Sequence, residues 1–176
     1  MERRRVIFRK TMKFLLFFLI LTVLYILQST PGFLRFFGVK PILVIPFCVV
    51  LAALNDDWTA FVIVVLGGLF TDLGSMRVAG YFTLMLLFVC VASMISVKFF
   101  FKATPRNAFF YSFVSMLVML TLDFLFSYVM NGYRGLWVVL LRNVVLLSRY
   151  SSLFAIPFYY LIDNINIMRS LRVSER

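Results

Sequence analysis

The sequence contains no histidine, and among its 176 residues only 7 are acidic and 2 are cysteine. Without histidine the chain lacks the usual general base at neutral pH, the commonest zinc ligand and the middle member of a Ser-His triad. No Gly-x-Ser-x-Gly elbow occurs, and Gly67-Gly68 is not followed by the Gly-Lys-Ser/Thr of a phosphate-binding loop. No catalytic, cofactor-binding or metal-binding residue is therefore assigned. Cys48 and Cys90 each lie inside an apolar segment, where a thiol packs as a small hydrophobe, and neither is given a function. Period-two alternation is missing too, so a membrane barrel does not fit.

What fills the chain instead is hydrocarbon. Hydrophobic residues make up 63% and charged residues 14%, too much apolar side chain for one soluble core of this length. Lipid is the expected solvent, and backbone satisfaction in lipid leaves helices. The expected architecture is all-α: one polytopic membrane domain over 1–176, with a basic amino terminus at 1–11 and a basic tail at 164–176. Six spans are expected, with four or five as the competing counts. They run from Met12 to Ser29, Val39 to Leu54, Trp58 to Thr71, Val78 to Val97 and Ala108 to Met130, with the last somewhere within Leu136 to Ile162. The second, carrying Pro41 and Pro46, and the third are short for a bilayer.

Basic residues set the orientation. Arg3, Arg4, Arg5, Arg9, Lys10 and Lys13 precede or open the first span, Lys98, Lys102 and Arg106 follow the fourth, and Arg169, Arg172 and Arg176 end the chain. The opposite loops hold Arg35, Lys40, Arg77 and Arg134, so both termini are expected in the cytoplasm. The net charge of +11 is accounted for by these loops facing anionic lipid, at ~1 kcal/mol for each charge near the surface. No soluble module for nucleic acid is visible. The first span has a basic start but no small-x-small cleavage pattern after it, and it is read as retained.

Two aspartates fall in or beside spans, and a membrane aspartyl protease needs two such carboxylates sharing a proton. The local sequences around Asp72 and Asp123 do not carry the Gly-x-Gly-Asp of presenilin-like proteases or the Asn- and Gly-rich surroundings of lipoprotein signal peptidase. Asp123, within a span, costs ~2.5–3.5 kcal/mol to insert and needs a partner inside the protein. Counted from the turn around Gly132 to Gly135, Arg142 is level with it, ~13–15 Å deep; counted from Ala108 and Asp163, Arg149 is level instead, ~21–22 Å in. The choice depends on where the last helix begins.

The stretch "GGLFTDLGSMRVAG" at 67–80 concentrates four glycines and an aspartate. Gly67 and Gly68 permit a neighbouring helix to approach closely. Gly74 and Gly80 are expected to form a sharp exit and a tight re-entry, and Asp72 to accept backbone N–H bonds at the start of the fourth helix.

Here the chain resembles a known family, MreD, the small integral membrane component of the bacterial rod-shape system. The resemblance lies in "KPILVIPFCVVLAAL" followed by "GGLFTDLGSMRVAGYFTLMLLFV", with Gly68, Leu69 and Asp72 at the motif positions, and in "SSLFAIPFYYLI" with its internal Pro157. It implies a non-enzymatic protein of the bacterial cytoplasmic membrane without cofactors. Its implied partners are MreC, the glycosyltransferase RodA, a class B penicillin-binding protein and MreB filaments, acting together to place lateral-wall peptidoglycan synthesis. An MreC-like helix is expected to dock in a lateral groove, with Ala92 and Ser96, one helical turn apart, as candidate small faces. The rival is the substrate-binding subunit of an energy-coupling-factor vitamin transporter, of similar size and span number. That class commonly presents an Ala-x-x-x-Ala-like face on its first span, and "FLLFFLILTVLYILQ" has neither Ala nor Gly.

Overall fold

A computed structural model describes residues 2–30, 40–55, 57–74, 80–99, 104–126 and 144–174. Every regular element among them is helical: α1 (Glu2–Ser29), α2 (Val44–Leu54), α3 (Trp58–Leu73), α4 (Tyr81–Phe99), α5 (Pro105–Phe124), α6 (Leu147–Leu153) and α7 (Ala155–Ser174). Four stretches, Thr11–Ser29, Tyr81–Phe99, Pro105–Phe124 and Val144–Asn166, are long and apolar enough to cross a membrane, whereas α2 and α3 are apolar but shorter. The described helices are those of a membrane protein: among them four stretches are long enough to span a bilayer and two apolar ones are shorter, and the expected second and third spans correspond to the short pair.

The short α2 is the hub. Val44 through Ala52 are all buried, and the helix packs against α1, α3, α4, α5 and α7. A helix that is apolar on every side belongs in such a position. Around it α1 lies beside α3, α3 beside α4, α4 beside α5, and α5 beside both α6 and α7. The expected start at Val39 moves to Val44; Pro41 disfavours helical backbone at Lys40 just before it. Pro46 sits in the first turn, where the missing N–H has no helical acceptor to lose.

At 11 residues α2 rises ~16 Å, about half the ~30 Å hydrocarbon core. Its ends cannot both reach water, so other helices supply the polar partners. At one end Gln28 Oε1 accepts from the N–H groups of Leu43 and Val44 at 3.0 and 3.2 Å, and Ser151 Oγ accepts from Ile42 N–H at 3.0 Å. At the other, Lys13 Nζ donates to Asn55 Oδ1 at 2.6 Å and to Asp57 at 3.0 Å. A cation at a helix C-terminus meets the favourable end of its dipole. Gln28 and Lys13 thereby hold α1 antiparallel to α2.

The last span is broken at Phe154. Pro157 has no N–H for the carbonyl of Leu153, and its ring crowds that carbonyl, so α6 ends and α7 begins there. α7 then continues past Ile162, through the stretch expected to be tail, to Ser174. Since Ser151 lies at the Gln28 end of α2, α7 runs back toward the Lys13 end, where α1 starts.

Candidate functional site

The glycine-rich stretch joins α3 to α4, and its described residues form a tightly bonded corner. Gly67 and Gly68 face two different neighbours. A Cβ on Gly67 would stand 2.5 Å from Cys48 Sγ in α2, with Leu21 of α1 at 3.5 Å; one on Gly68 would stand 2.5 Å from the Cα of Thr83 in α4. The first glycine brings α3 onto the hub and the second brings it onto α4. Thr71 Oγ1 donates to the Gly68 carbonyl at 2.7 Å.

One turn later Asp72, 8% exposed, turns its carboxylate to the start of α4. Oδ1 accepts from Phe82 N–H at 2.9 Å; Oδ2 accepts from Gly80 N–H at 3.0 Å, from Thr83 N–H at 3.2 Å and from the Thr83 hydroxyl. The side chain thus does the work of an N-cap from eight residues upstream in sequence. A carboxylate there also complements the positive end of the helix. Gly80 precedes α4 with φ +94°, a backbone conformation that L side chains rarely adopt. Gly74 differs from expectation: its φ of −81° and ψ of −9° are ordinary right-handed values, so the exit from α3 does not require glycine.

Of the remaining candidates, Leu69 is exposed on the outer side of α3, and Pro157 is exposed at the α6–α7 break. Ala92 is exposed and Ser96 half-buried, with Ser96 Oγ donating to the Ala92 carbonyl at 2.8 Å. Both line a groove of about 370 Å³ between α4 and α5, whose other walls include Phe88, Ser93, Phe110 and Ser115. Ser93 and Ser115 share a hydrogen bond of 3.1 Å.

Asp123 lies two residues after Thr121 in α5, with Leu125 and Phe126 continuing in helical turns; the remainder of the span expected to reach Met130 lies outside the described residues. Arg149 lies on the exposed side of α6 and makes no ion pair with Asp123; Arg142 lies outside the described residues. Among the described residues the charged pair is Lys13 with Asp57, which sequence reasoning did not foresee. Lys13, counted there as part of the basic terminus, has a side chain only 9% exposed, with Phe17 beneath its ammonium at 5.8 Å. Its place within the expected span from Met12, as the last basic residue before the apolar run that opens at Phe14, was the available signal, since a charge within a span faces protein.

Chemically, this arrangement fixes shape. The Asp72 oxygens are occupied by donors of α4, and no group of three metal-ligating side chains occurs among the described residues. Comparison of the chain with family models, with curated proteins and with solved structures finds no match.

Proposed function

We propose that this chain is a non-catalytic membrane scaffold of the MreD kind, docking an MreC-like bitopic protein in the bacterial cytoplasmic membrane and helping to position lateral-wall synthesis. The observation that carries the reading is the bonded corner at Asp72. The residues of the resemblance, Gly68 and Asp72, join α3 closely to the start of α4, which suits a part whose task is to hold a partner in register. The groove containing Ala92 and Ser96 is the docking place on this reading, because small residues let a second helix approach closely. The starts of α1 and the ends of α4 and α7 lie at one end of the bundle, and their basic residues are assigned to the cytoplasmic leaflet and its anionic lipids. RodA-type and penicillin-binding partners and MreB filaments join through the MreC-like protein.

Copurification from native membranes tests this. Recovery of a bitopic MreC-like protein, lost in Ala92→Trp and kept in a lipid-facing control such as Leu84→Phe, is the expected result. A bound vitamin accompanied by ATPase subunits would favour the transport reading and sink the scaffold. Asp72→Asn is expected to keep partner recruitment and cell shape, and Asp72→Leu to lose both.

A further inference from the structure

α3 carries an acidic side chain at each end, Asp57 just before its first residue and Asp72 in its last turn. Its 16 residues rise ~24 Å, ~6 Å short of an ordinary hydrocarbon core. A short span adjusts to the bilayer by thinning it, by extending flanking side chains outward or by self-association. Extension is closed to both carboxylates. Asp57 is held by Lys13 at 3.0 Å, and Asp72 by three N–H groups of α4 and its approach. Between them α3 presents an outward apolar stripe, Trp58 at 76% exposure, Phe61, Leu69 and Leu73 at 75%. The α1 stretch Thr11–Ser29 and the α4 and α5 spans, with 19, 19 and 20 residues, rise ~28–30 Å and have no such deficit, so the shortfall on the α1–α3 flank is that of α3.

A second observation marks where polar matter comes down. Between α1 and α3 at the Lys13 end lies a cleft of about 320 Å³ lined by Thr11, Phe14, Asp57, Trp58 and Thr59. The Thr59 hydroxyl is enclosed there without a protein partner, and Asp57, 60% exposed, stands at its mouth. Hydrocarbon satisfies neither group.

We propose that the α1–α3 flank holds the bilayer thin: the phospholipid headgroup layer on the Lys13 side dips to Asp57 and enters this cleft, and the flank takes shorter acyl chains than the α4–α5 flank. The proposal needs the bilayer as medium but not the scaffold reading, so either survives failure of the other.

Tryptophan quenching by dibrominated phosphatidylcholines tests it in reconstituted vesicles of the full chain, with parent acyl chains from myristoleoyl through oleoyl to eicosenoyl. Trp137→Phe leaves Trp58 as the only reporter on the α3 flank; adding Trp58→Phe and Phe99→Trp moves the reporter to α4, where Phe99 is exposed. Relative lipid binding at Trp58 is expected to peak at the shorter chains and fall roughly threefold to tenfold toward eicosenoyl, while the α4 reporter peaks at longer chains. Coincident optima, or an optimum for Trp58 at the longer chain, overturn the proposal. The pair Lys13→Met with Asp57→Leu, which removes the charge at one end of the flank, is expected to move the Trp58 optimum to longer chains; an unmoved optimum also overturns it.

Discussion

Between α3 and α4 the backbones meet at Gly68 and Thr83, and one carboxylate collects donors across the corner. Between α5 and α6 the bundle instead buries serines, Ser112 on one side and Ser148, Ser151 and Ser152 on the other. Both pairs use small residues where lipid-embedded helices pack. Their polar groups are spent differently. Asp72 bonds to another helix, whereas Ser148 and Ser152 return their hydroxyls to the carbonyls of Val144 and Arg149 in their own segment. The first pair is therefore fixed by bonds between elements, and the second mostly by packing, with Ser151 as the serine that reaches across to Ile42.

The largest effect that distinguishes them is expected at Asp72. Asp72→Leu leaves three N–H donors without their acceptor, and each one left dry costs ~1–3 kcal/mol, so ~3 kcal/mol or more of stability is lost. Asp72→Asn keeps one acceptor oxygen and loses less, ~1–2 kcal/mol. Unfolding of the detergent-solubilised chain in rising SDS measures both. Equal losses for Leu and Asn would mean that charge, not acceptor geometry, holds the corner.

Next come the two close approaches, which differ in what can yield. Gly68→Ala drives a methyl onto Thr83 backbone, and no side-chain change relieves it; a cost of ~1–3 kcal/mol is expected. Gly67→Ala meets the sulfur of Cys48 instead. Adding Cys48→Ala is therefore expected to recover most of the Gly67→Ala loss and none of the Gly68→Ala loss in the same SDS titration. Recovery in both would show that α3 shifts as a body.

Gly80 and Gly74 sharpen the comparison within the hairpin. Gly80→Ala places a side chain at φ +94° and is expected to cost ~1–2 kcal/mol although its Cβ meets nothing. Gly74→Ala fits its helical φ, finds no atom closer than 3.7 Å and is expected to be neutral or to stabilise by ~0.4–1 kcal/mol. A matching loss at both would place the strain outside φ.

These positions also show what a sequence can carry. Asp72 as a cap is legible because it acts through local backbone chemistry, a carboxylate near a helix start; Pro157 was read only as a proline internal to the last span, although the N–H it lacks four residues after the Leu153 carbonyl is the same kind of local signal. The hub role of α2 is not. "VIPFCVVLAAL" is apolar on every side, which is equally the pattern of a lipid-facing span, and only packing against five other helices separates the two. Gln28 and Lys13 fail for the same reason, since their partners are the ends of a different helix. The Asp123 reckoning depended on counting rise from helix ends, and α5 starts at Pro105, not Ala108, with the Thr104 hydroxyl as its cap. A three-residue error in an end moves a depth by ~4.5 Å, nearly half of the ~10.5 Å of helix rise that separates Arg142 from Arg149, so errors at both ends are enough to blur the choice.

The smallest expected effect lies on the serine side and decides whether packing alone holds it. Ser112 is fully buried, and its hydroxyl has no hydrogen-bond partner. Burying a hydroxyl without a partner is unfavourable, so removing the oxygen removes a cost as well as a contact. Ser112→Ala is expected to stay within ~0.5 kcal/mol of the parent or to gain slightly, in contrast to every change at the Asp72 corner. Ser151→Ala, which takes the acceptor from Ile42 N–H, is expected to lose ~1 kcal/mol and serves as the control on the same face. If Ser112→Ala cost more than Ser151→Ala, its hydroxyl would be bonding within the bundle, and α5 would carry a second hydrogen-bonded serine besides Ser115, which already bonds Ser93 of α4.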